Sequence, residues 1–328
     1  MTAQLLAPLL ALLAAAATLA WLLGPGRARL PMDRPNERSL HQVPVPRSGG
    51  LAVVAGVLAA CLADWPSQAV VAGCVLALAM LSFADDWRGM PIGVRFGMHA
   101  AAAVAFVGLV LPPMALPLQA ITAFLIAWSI NLYNFMDGSD GLAGGMAVIG
   151  FGTYSAAFAL AGDPSLAALS LAVAVASAVF LKANFHPARI FLGDVGSVPL
   201  GFLASALGAA GIAQGYFPAW FPFVVFAPFF ADATVTLLRR ILRGERFWQA
   251  HRQHYYQRLV QMGWGHRRTA LAEYLLMACS AAAALAALRL PAPGQALLLG
   301  AWGSALLAAM AAVDRRWQRR APVTPPPP

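Results

Sequence analysis

A polar stretch, NLYNFMDGSDGLAGG, separates two long apolar runs at residues 131–145. Four of its polar residues recur at three-residue steps: Asn131, Asn134, Asp137 and Asp140. On one continuous α-helix this spacing would wrap them halfway round the axis, but Gly138 and Gly141 predict a helix break near Asp137. The aspartates would then lie on a tight turn, where carboxylates and backbone N–H groups can bind one small ligand.

Two further acidic sites stand at the ends of apolar segments. Asp85 and Asp86, in FADDWRG, are adjacent, and because like charges repel, one of them is expected to bind a cation or take up a proton. Asp194, in FLGDVGS, lies between Gly193 and Gly196, and glycines let a backbone approach a phosphate closely. Carboxylates without Cys or clustered His suit Mg²⁺, with Mn²⁺ as an alternative, rather than Zn²⁺. The acids therefore predict metal-assisted phosphate chemistry.

Two other sites carry polar groups of interest. His254 and Arg258 share a helix face if their stretch is helical. His254 is a candidate hydrogen-bond donor to a phosphate or a candidate acid–base group. Asp232 lies inside an apolar segment, where an acid either serves function or pairs with a neighbouring helix, and the sequence leaves both readings open. The GxxxxGK(S/T) motif is absent, which excludes a P-loop ATPase.

The composition is that of a membrane protein. Of the 328 residues, 60% are hydrophobic and only 11% are charged, and the mean hydropathy is +0.69, whereas soluble domains carry about 25% charged residues. The apolar runs are continuous rather than alternating, which predicts an all-α, polytopic membrane fold. We count eleven candidate transmembrane helices, at residues 3–23, 50–63, 67–84, 96–111, 117–134, 142–161, 165–181, 198–213, 217–238, 269–288 and 295–313.

Positive charge indicates the orientation. If the eleven segments alternate across the bilayer, every Lys and Arg except Arg289 falls on the side that carries the polar loops. The positive-inside rule makes this side cytoplasmic, with the N-terminus outside and the C-terminus inside. The cytoplasmic loops would be residues 25–50, 85–95, 131–142, 182–197 and 239–268. We therefore expect one transmembrane catalytic domain, residues 1–313, and a basic, proline-rich cytoplasmic tail, residues 314–328.

The net charge of +9 does not indicate a nucleic-acid partner. The basic residues lie in loops that flank membrane segments, where they set topology and contact anionic membrane lipid.

Together, five stretches resemble the signatures of one family, the polyprenyl-phosphate N-acetylhexosamine-1-phosphate transferases. They occur in the family's order between residues 33 and 268: PNERSLHQVPVPRSGG, FADDWRG, NLYNFMDGSDGLAGG, NFHPARIFLGDVGSVPLG and HRQHYYQRL. The resemblance implies a multi-pass enzyme of the bacterial inner membrane whose active site faces the cytoplasm. Such enzymes transfer a sugar 1-phosphate from a UDP-N-acetylhexosamine to undecaprenyl phosphate and release UMP.

The resemblance also implies roles for individual residues. Asp194 matches the magnesium-binding aspartate, and Asp85 and Asp86 match an aspartate pair that deprotonates or positions the lipid phosphate, so that Asp86 is also a candidate metal ligand. His254 matches the first histidine of a histidine-rich loop. Six residues match the nucleotide-sugar site: Asn131, Asn134, Asp137, Asp140, Asn184 and Phe191.

The chain departs from the family pattern in two places. Tyr255, Tyr256 and Gln257 replace the further histidines of that loop, which favours initiators of O-antigen or other cell-surface polysaccharides over the peptidoglycan enzyme. The first loop lacks the lysine of the peptidoglycan enzyme, and we assign phosphate binding to Arg47 or Arg38, together with Arg258.

Some alternatives remain open at this level. A transporter of an anionic solute would place its acids near the bilayer midplane, and a CDP-alcohol phosphatidyltransferase would need a different spacing of aspartates than DGSDGLAGG offers. The sugar is undetermined, and a homodimer is expected only by analogy with the family.

Overall fold

The computed structural model describes residues 3–33, 35, 40, 43–65, 67–246 and 251–320. Arg38 and residues 321–328 of the expected tail lie outside the described residues.

Within these ranges the chain is almost entirely helical. The helices are α1 (Ala3–Leu23), α2 (Gly50–Cys61), α3 (Ala69–Arg88), α4 (Ile92–Leu109), α5 (Leu116–Phe135), α6 (Leu142–Ala161), α7 (Pro164–Asn184), α8 (Asp194–Ala213), α9 (Trp220–Val225), α10 (Ala227–Leu242), α11 (Tyr255–Leu259), α12 (Gly265–Ala287) and α13 (Ala292–Arg320). A π-helical turn, Val260–Trp264, joins α11 to α12. The first loop adds a two-stranded antiparallel sheet of β1 (Met32–Asp33) and β2 (Val45–Pro46).

The helices confirm a polytopic α-helical membrane fold. Among the described residues, nine helices are long and apolar enough to cross a membrane. The other two predicted segments differ from a simple span. The segment at 50–63 is the short α2 followed by a 3₁₀ turn, Leu62–Asp64. The segment at 217–238 is divided at Phe226 into α9 and α10. The count of eleven and the orientation remain predictions.

Prolines account for the division at Phe226. Pro222 lies in α9 and Pro228 in the first turn of α10. Proline has no N–H to donate and its ring clashes with the preceding turn, so two prolines six residues apart favour a break between them. The break leaves α10 as a separate helix that begins inside the apolar region and carries Arg239 and Arg240 in its last turn.

The centre of the bundle is α8, which is the most buried of the candidate spans and packs against α5, α3 and α2. A second layer is formed by α1, α6 and α7. The start of α2 meets the start of α8 at two glycines, where a Cβ on Gly50 would lie 2.3 Å from both the N and Cα atoms of Gly196. Only glycine permits this approach, which brings the first loop next to Asp194. The least buried candidate span is α13.

Candidate functional site

The first loop is joined to the segment before α8 by backbone hydrogen bonds. Phe191 N donates to Pro46 O at 2.8 Å, and Gly49 N donates to Phe191 O at 2.8 Å. Arg47 and Phe191 thereby form a parallel β-bridge. The pairing holds Arg47 beside Gly193, whose backbone is in the left-handed region (φ +70°).

Three carboxylates and two guanidiniums meet where α3 ends and α8 begins. Arg47 Nη2 forms an ion pair with Asp86 Oδ1. Arg95, in the first turn of α4, bridges two helices, with Nε 3.3 Å from Asp85 Oδ2 and Nη2 3.4 Å from Asp194 Oδ2. Asp86 and Asp194 lie close together, because Asp86 Oδ2 would be 3.8 Å from a Cβ on Gly193 and Arg95 joins Asp85 to Asp194. Their roles as metal ligands stay predictions.

The carboxylate of Asp86 has the character of a cation ligand. Its side chain is 2% exposed, and its Oδ2 atom has no hydrogen-bond partner among the described residues. A buried carboxylate oxygen without a partner is costly, and this one points toward Gly193, from whose Cβ position it would lie 3.8 Å. An oxygen-only donor set of this kind fits Mg²⁺ or Mn²⁺.

A complete protein cage for a metal is not formed. In the described ranges, no three His, Cys, Asp or Glu side chains are close enough to hold an ion together. Magnesium commonly binds through one or two carboxylates plus waters and substrate phosphates. Asp86 and Asp194 are the two carboxylates here that would hold such an ion, with waters and a phosphorylated substrate supplying its other ligands.

The turn between α5 and α6 carries Asp137, as the glycines predicted. The helix ends at Phe135, and Gly141 adopts φ +77° before α6 begins. Burial raises the pKa of the Asp137 carboxyl well above its usual value, the charge of Asp194 raises it further, and a hydrogen bond from the Gly193 backbone opposes both. Asp137 therefore adjoins the carboxylate cluster, next to Asp194 and Gly193.

Asn134 connects the same turn to α8. Its Oδ1 atom accepts a hydrogen bond from Ser197 Oγ at 2.7 Å, and its side chain also hydrogen-bonds Asp194. Asn131, one turn earlier on α5, instead donates from Nδ2 to Ala127 O at 2.7 Å and contacts His99. Of the two asparagines, Asn134 is brought to the cluster, whereas the described partners of Asn131 lie within the helices.

Asp140 and Asn184 join the turn to the loop that follows α7. His186 Nδ1 lies 2.7 Å from Asp140 Oδ2, which also accepts a hydrogen bond from Ala188 N. Asn184 is buried; its Oδ1 accepts from Gly141 N at 2.9 Å and its Nδ2 donates to Ile190 O at 3.0 Å. With Phe191 in the same loop, the residues assigned to a nucleotide-sugar site lie on two connected segments. Their role in binding stays a prediction.

His254 is held by Asp232, so the acid in the apolar segment has a partner at the start of α11. Whether Asp232 also serves function stays a prediction. Asp232 Oδ1 lies 3.1 Å from His254 Nδ1, and its two oxygens accept hydrogen bonds from the backbone N–H groups of Tyr255 and Tyr256. Asp232 therefore both orients the imidazole and caps α11. The His254 ring is 6.4 Å from that of Phe135, at the end of α5.

Arg258 is engaged away from the carboxylate cluster. Its Nη1 atom donates to Asp314 Oδ1 at 2.9 Å, and its guanidinium lies over the rings of Tyr255 and Trp317. The side chain is largely buried. These contacts join α11 to α13 and give Arg258 a packing role here; the phosphate-binding role expected for it stays an untested prediction.

Sequence reasoning missed Arg95 as a site residue. The sequence assigns Arg95 to the loop at residues 85–95, whereas α4 begins at Ile92 and holds Arg95 in its first turn. A cation within the first turn of an apolar helix is itself a signal, because such a charge needs a nearby partner.

Comparison with known proteins gives consistent relatives. The sequence model of glycosyl transferase family 4 matches residues 68–212. A probable undecaprenyl-phosphate N-acetylglucosaminyl 1-phosphate transferase of Bacillus subtilis is 31% identical over 265 residues, which cover 75% of this chain and 74% of the relative. A decaprenyl-phosphate N-acetylglucosaminephosphotransferase of Mycobacterium leprae is 29% identical over 289 residues, or 74% of this chain and 73% of the relative. An undecaprenyl-phosphate alpha-N-acetylglucosaminyl 1-phosphate transferase of Yersinia pestis is 25% identical over 264 residues, with coverages of 72% and 71%.

Proposed function

The chain belongs to glycosyl transferase family 4, and on that premise we propose that it transfers an N-acetylhexosamine 1-phosphate from a UDP-sugar to undecaprenyl phosphate. The observation that carries the proposal is the meeting of Asp85, Asp86 and Asp194 with two guanidiniums beside the Asp137 turn. The same observation favours a transferase over a solute transporter, since the acids lie at helix ends.

The reaction is a substitution at phosphorus. A phosphate oxygen of the lipid attacks the phosphorus that bears the sugar, and the bond from that phosphorus to the bridging oxygen breaks. The bridging oxygen and the electron pair of the broken bond leave with UMP, and the product is a lipid-linked diphosphate sugar. Charge spreads over the phosphoryl oxygens in the transition state, so positioning and electrostatic stabilisation supply most of the catalysis.

The carboxylate cluster would supply both the positioning and the electrostatic stabilisation. Asp194 and Asp86 would hold Mg²⁺, which when bound polarises the phosphoryl oxygens and neutralises the leaving phosphate. Arg47 and Arg95 present guanidiniums to the same phosphates, and their planar forks match phosphate geometry. Asp85, fixed by Arg95 and by the backbone of Met90, is poised to accept a proton from the lipid phosphate or to orient it.

His254 is the second candidate for proton transfer. If Nδ1–H donates to Asp232, the other ring nitrogen, Nε2, is left as an acceptor, because a neutral imidazole carries one proton. A carboxylate that fixes the tautomer and orientation of an imidazole improves it as a base. We assign His254 the role of an acid–base group or of a hydrogen-bond donor to a phosphate, beside the end of α5.

An apolar cavity offers a place for the isoprenoid chain. It runs beside α5 from Leu118 to Tyr133 and is closed by α8 and the divided α9–α10 segment, with Phe226 and Phe229 among its lining residues. Tyr133, which lines the cavity, precedes Asn134 in α5, and we infer that this end of the cavity lies near the polar site. A lipid chain in it would leave its phosphate at the carboxylate cluster.

The cell setting follows from the same proposal. The protein is a bacterial membrane protein, and we place it in the inner membrane with the site facing the cytoplasm, where nucleotide sugars are made. Its product would initiate O-antigen or another cell-surface polysaccharide, and a homodimer is expected. Because the relatives are named for N-acetylglucosamine, UDP-N-acetylglucosamine is the first donor to test.

The test is product analysis with purified protein, undecaprenyl phosphate, Mg²⁺ and four donors: the UDP derivatives of N-acetylglucosamine, N-acetylgalactosamine, N-acetylfucosamine and N-acetylquinovosamine. We expect UMP release that a chelator stops. Asp194→Asn and Asp86→Asn should each abolish turnover while the protein stays folded, whereas the exposed Arg289→Gln should match wild type. Release of UDP, or normal turnover in either aspartate variant, would contradict the assignment.

A further inference from the structure

One imidazole, His266 in the first turn of α12, contacts two segments that are distant from it in sequence. Its Nδ1 atom lies 2.9 Å from Ser139 Oγ and 3.4 Å from the backbone N of Asp140, on the turn between α5 and α6. Its Nε2 atom lies 3.3 Å from Leu40 O, in the first loop. Both ring nitrogens are therefore engaged, each with a different loop.

The partners fix the tautomer. Leu40 O is a carbonyl and can only accept, so Nε2 must carry the proton. Nδ1 is then an acceptor, which suits the hydroxyl of Ser139 and the N–H of Asp140. No other neutral tautomer satisfies both ends at once, so the two contacts depend on each other.

A third loop joins through a second histidine. The ring of His186, in the segment after α7, stacks on that of His266 with centroids 5.4 Å apart and planes 14° apart. His186 Nδ1 is the atom that lies 2.7 Å from Asp140 Oδ2. The two stacked imidazoles therefore hold the backbone and the carboxylate of Asp140 from adjacent positions.

The same helix touches the turn once more. Tyr274, two helical turns beyond His266 on α12, donates its hydroxyl hydrogen to Gly141 O at 2.7 Å. Its ring fills the space above Gly145, where a Cβ would lie 2.0 Å from Cε1. Consecutive residues of the turn, from Ser139 to Gly141, are thus bonded to side chains of α12.

We propose that His266 is a positioning residue, which joins the first loop, the Ser139–Asp140 turn and the His186 loop so that Asp140 is held for the nucleotide end of the donor. The proposal rests on the proposed function for the identity of the donor. The contact geometry itself does not depend on it. Because the acceptor lipid would meet Asp85, Asp86 and the cavity beside α5 instead, His266 should affect the two substrates unequally.

Kinetics with two substrates tests this asymmetry. His266→Ala should raise the KM for the UDP-sugar about tenfold, equal to about 1.4 kcal/mol and the size expected for the loss of a partly buried hydrogen bond. The KM for undecaprenyl phosphate should stay unchanged. His266→Asn keeps an acceptor near Nδ1 and should recover most of the donor affinity, whereas His266→Gln keeps a donor near Nε2 and should recover less. Arg268→Gln, an exposed change two residues away, is the control.

A double-mutant cycle separates a specific bond from general packing. Ser139→Ala removes the partner hydroxyl, so the Ser139→Ala/His266→Ala double variant should raise the donor KM less than the product of the single effects. Multiplicative effects, or equal rises in both KM values, would overturn the proposal.

Hydrogen exchange gives a readout that needs no turnover. In His266→Ala the amides of Asp140 and Gly141 should exchange at least about tenfold faster than in wild type, while amides in the middle of α6 remain protected. Unchanged exchange at the turn would refute the positioning role even if the enzyme is active. If wild-type protein released no UMP with any donor, the proposed function would fail, and the exchange experiment would still decide on the positioning.

Discussion

Replacing Gly50 with alanine tests whether the close approach of α2 and α8 places Asp194. The added Cβ would lie 2.3 Å from the N and Cα atoms of Gly196, and 2.8 Å from Leu192 O. All three are backbone atoms, which have no rotamer to change. The strain must therefore be relieved by moving one helix start away from the other.

The displacement can be worked out from these distances. Ordinary carbon contacts begin at 3.4 Å, so the two backbones must separate by about 1.1 Å, the difference between that contact and 2.3 Å. Gly196 is two residues from Asp194, in the same first turn of α8. A misplacement of about 1 Å can lower a rate about 100-fold, and overpacking costs about 1–3 kcal/mol of stability. We expect both effects in Gly50→Ala.

The assay is UMP release at saturating substrates, with a thermal unfolding scan of the same preparation. Gly73→Ala in α3 is the matched control, because no atom lies within 4 Å of the Cβ position there and alanine favours a helix interior. Turnover of Gly50→Ala within about threefold of the control would refute the argument that this contact sets the position of Asp194.

Four further outcomes are expected. Arg95→Gln should lower kcat/KM by about 10- to 100-fold, with Arg95→Lys recovering only part, because an ammonium cannot bridge two carboxylates as a guanidinium does; unchanged UMP release would contradict the bridging role. Asp232→Asn should lower kcat by about 10²- to 10⁴-fold through loss of the oriented His254 base, and a drop in thermal midpoint with full kcat would instead leave Asp232 as a helix cap only. Asp314→Asn, which weakens charge-assisted bonds to the end of α10 and to α11, should destabilise by about 1–3 kcal/mol in a thermal scan while kcat changes little. Burial, and then the neighbouring His254, lowers the pKa of His251 from 6.5 to about 4. Its NMR ring signals should therefore not titrate between pH 8 and 5.5, and its contribution to stability should be lost as pH falls from about 6.5 toward 4, because the unfolded chain binds the proton first.

The sequence predicted those features that depend on local chemistry. Continuous apolar runs indicated the helices, and Gly138 with Gly141 indicated the break that places Asp137 on a turn. The alternation of segments placed Asp86 and Asp194 on one membrane face, and the family resemblance implied that they share a site, which stays a prediction. These features follow from backbone conformation and from where charges are tolerated, both of which are encoded within a few residues.

The features that sequence reasoning missed depend on packing between distant segments. Arg95 meets Asp194 across 99 positions and His266 meets Ser139 across 127. No periodicity in either segment specifies which helix lies beside which, so the partners appear only once the bundle is assembled. The division at Phe226 is different, because Pro222 and Pro228 are local signals that a continuous span at residues 217–238 does not fit.

The balance of guanidiniums and carboxylates in the cluster at Asp194 sets the formal charge that a nucleotide would meet there. The formal charge of the cluster is minus one, because three carboxylates (Asp85, Asp86 and Asp194) outnumber two guanidiniums (Arg47 and Arg95). A negative charge repels a pyrophosphate. In the proposed mechanism a single Mg²⁺ or Mn²⁺ ion would change this to plus one, which attracts a pyrophosphate. Donor and ion should therefore associate as one complex, and affinity for the free nucleotide should fall steeply when the ion is withdrawn.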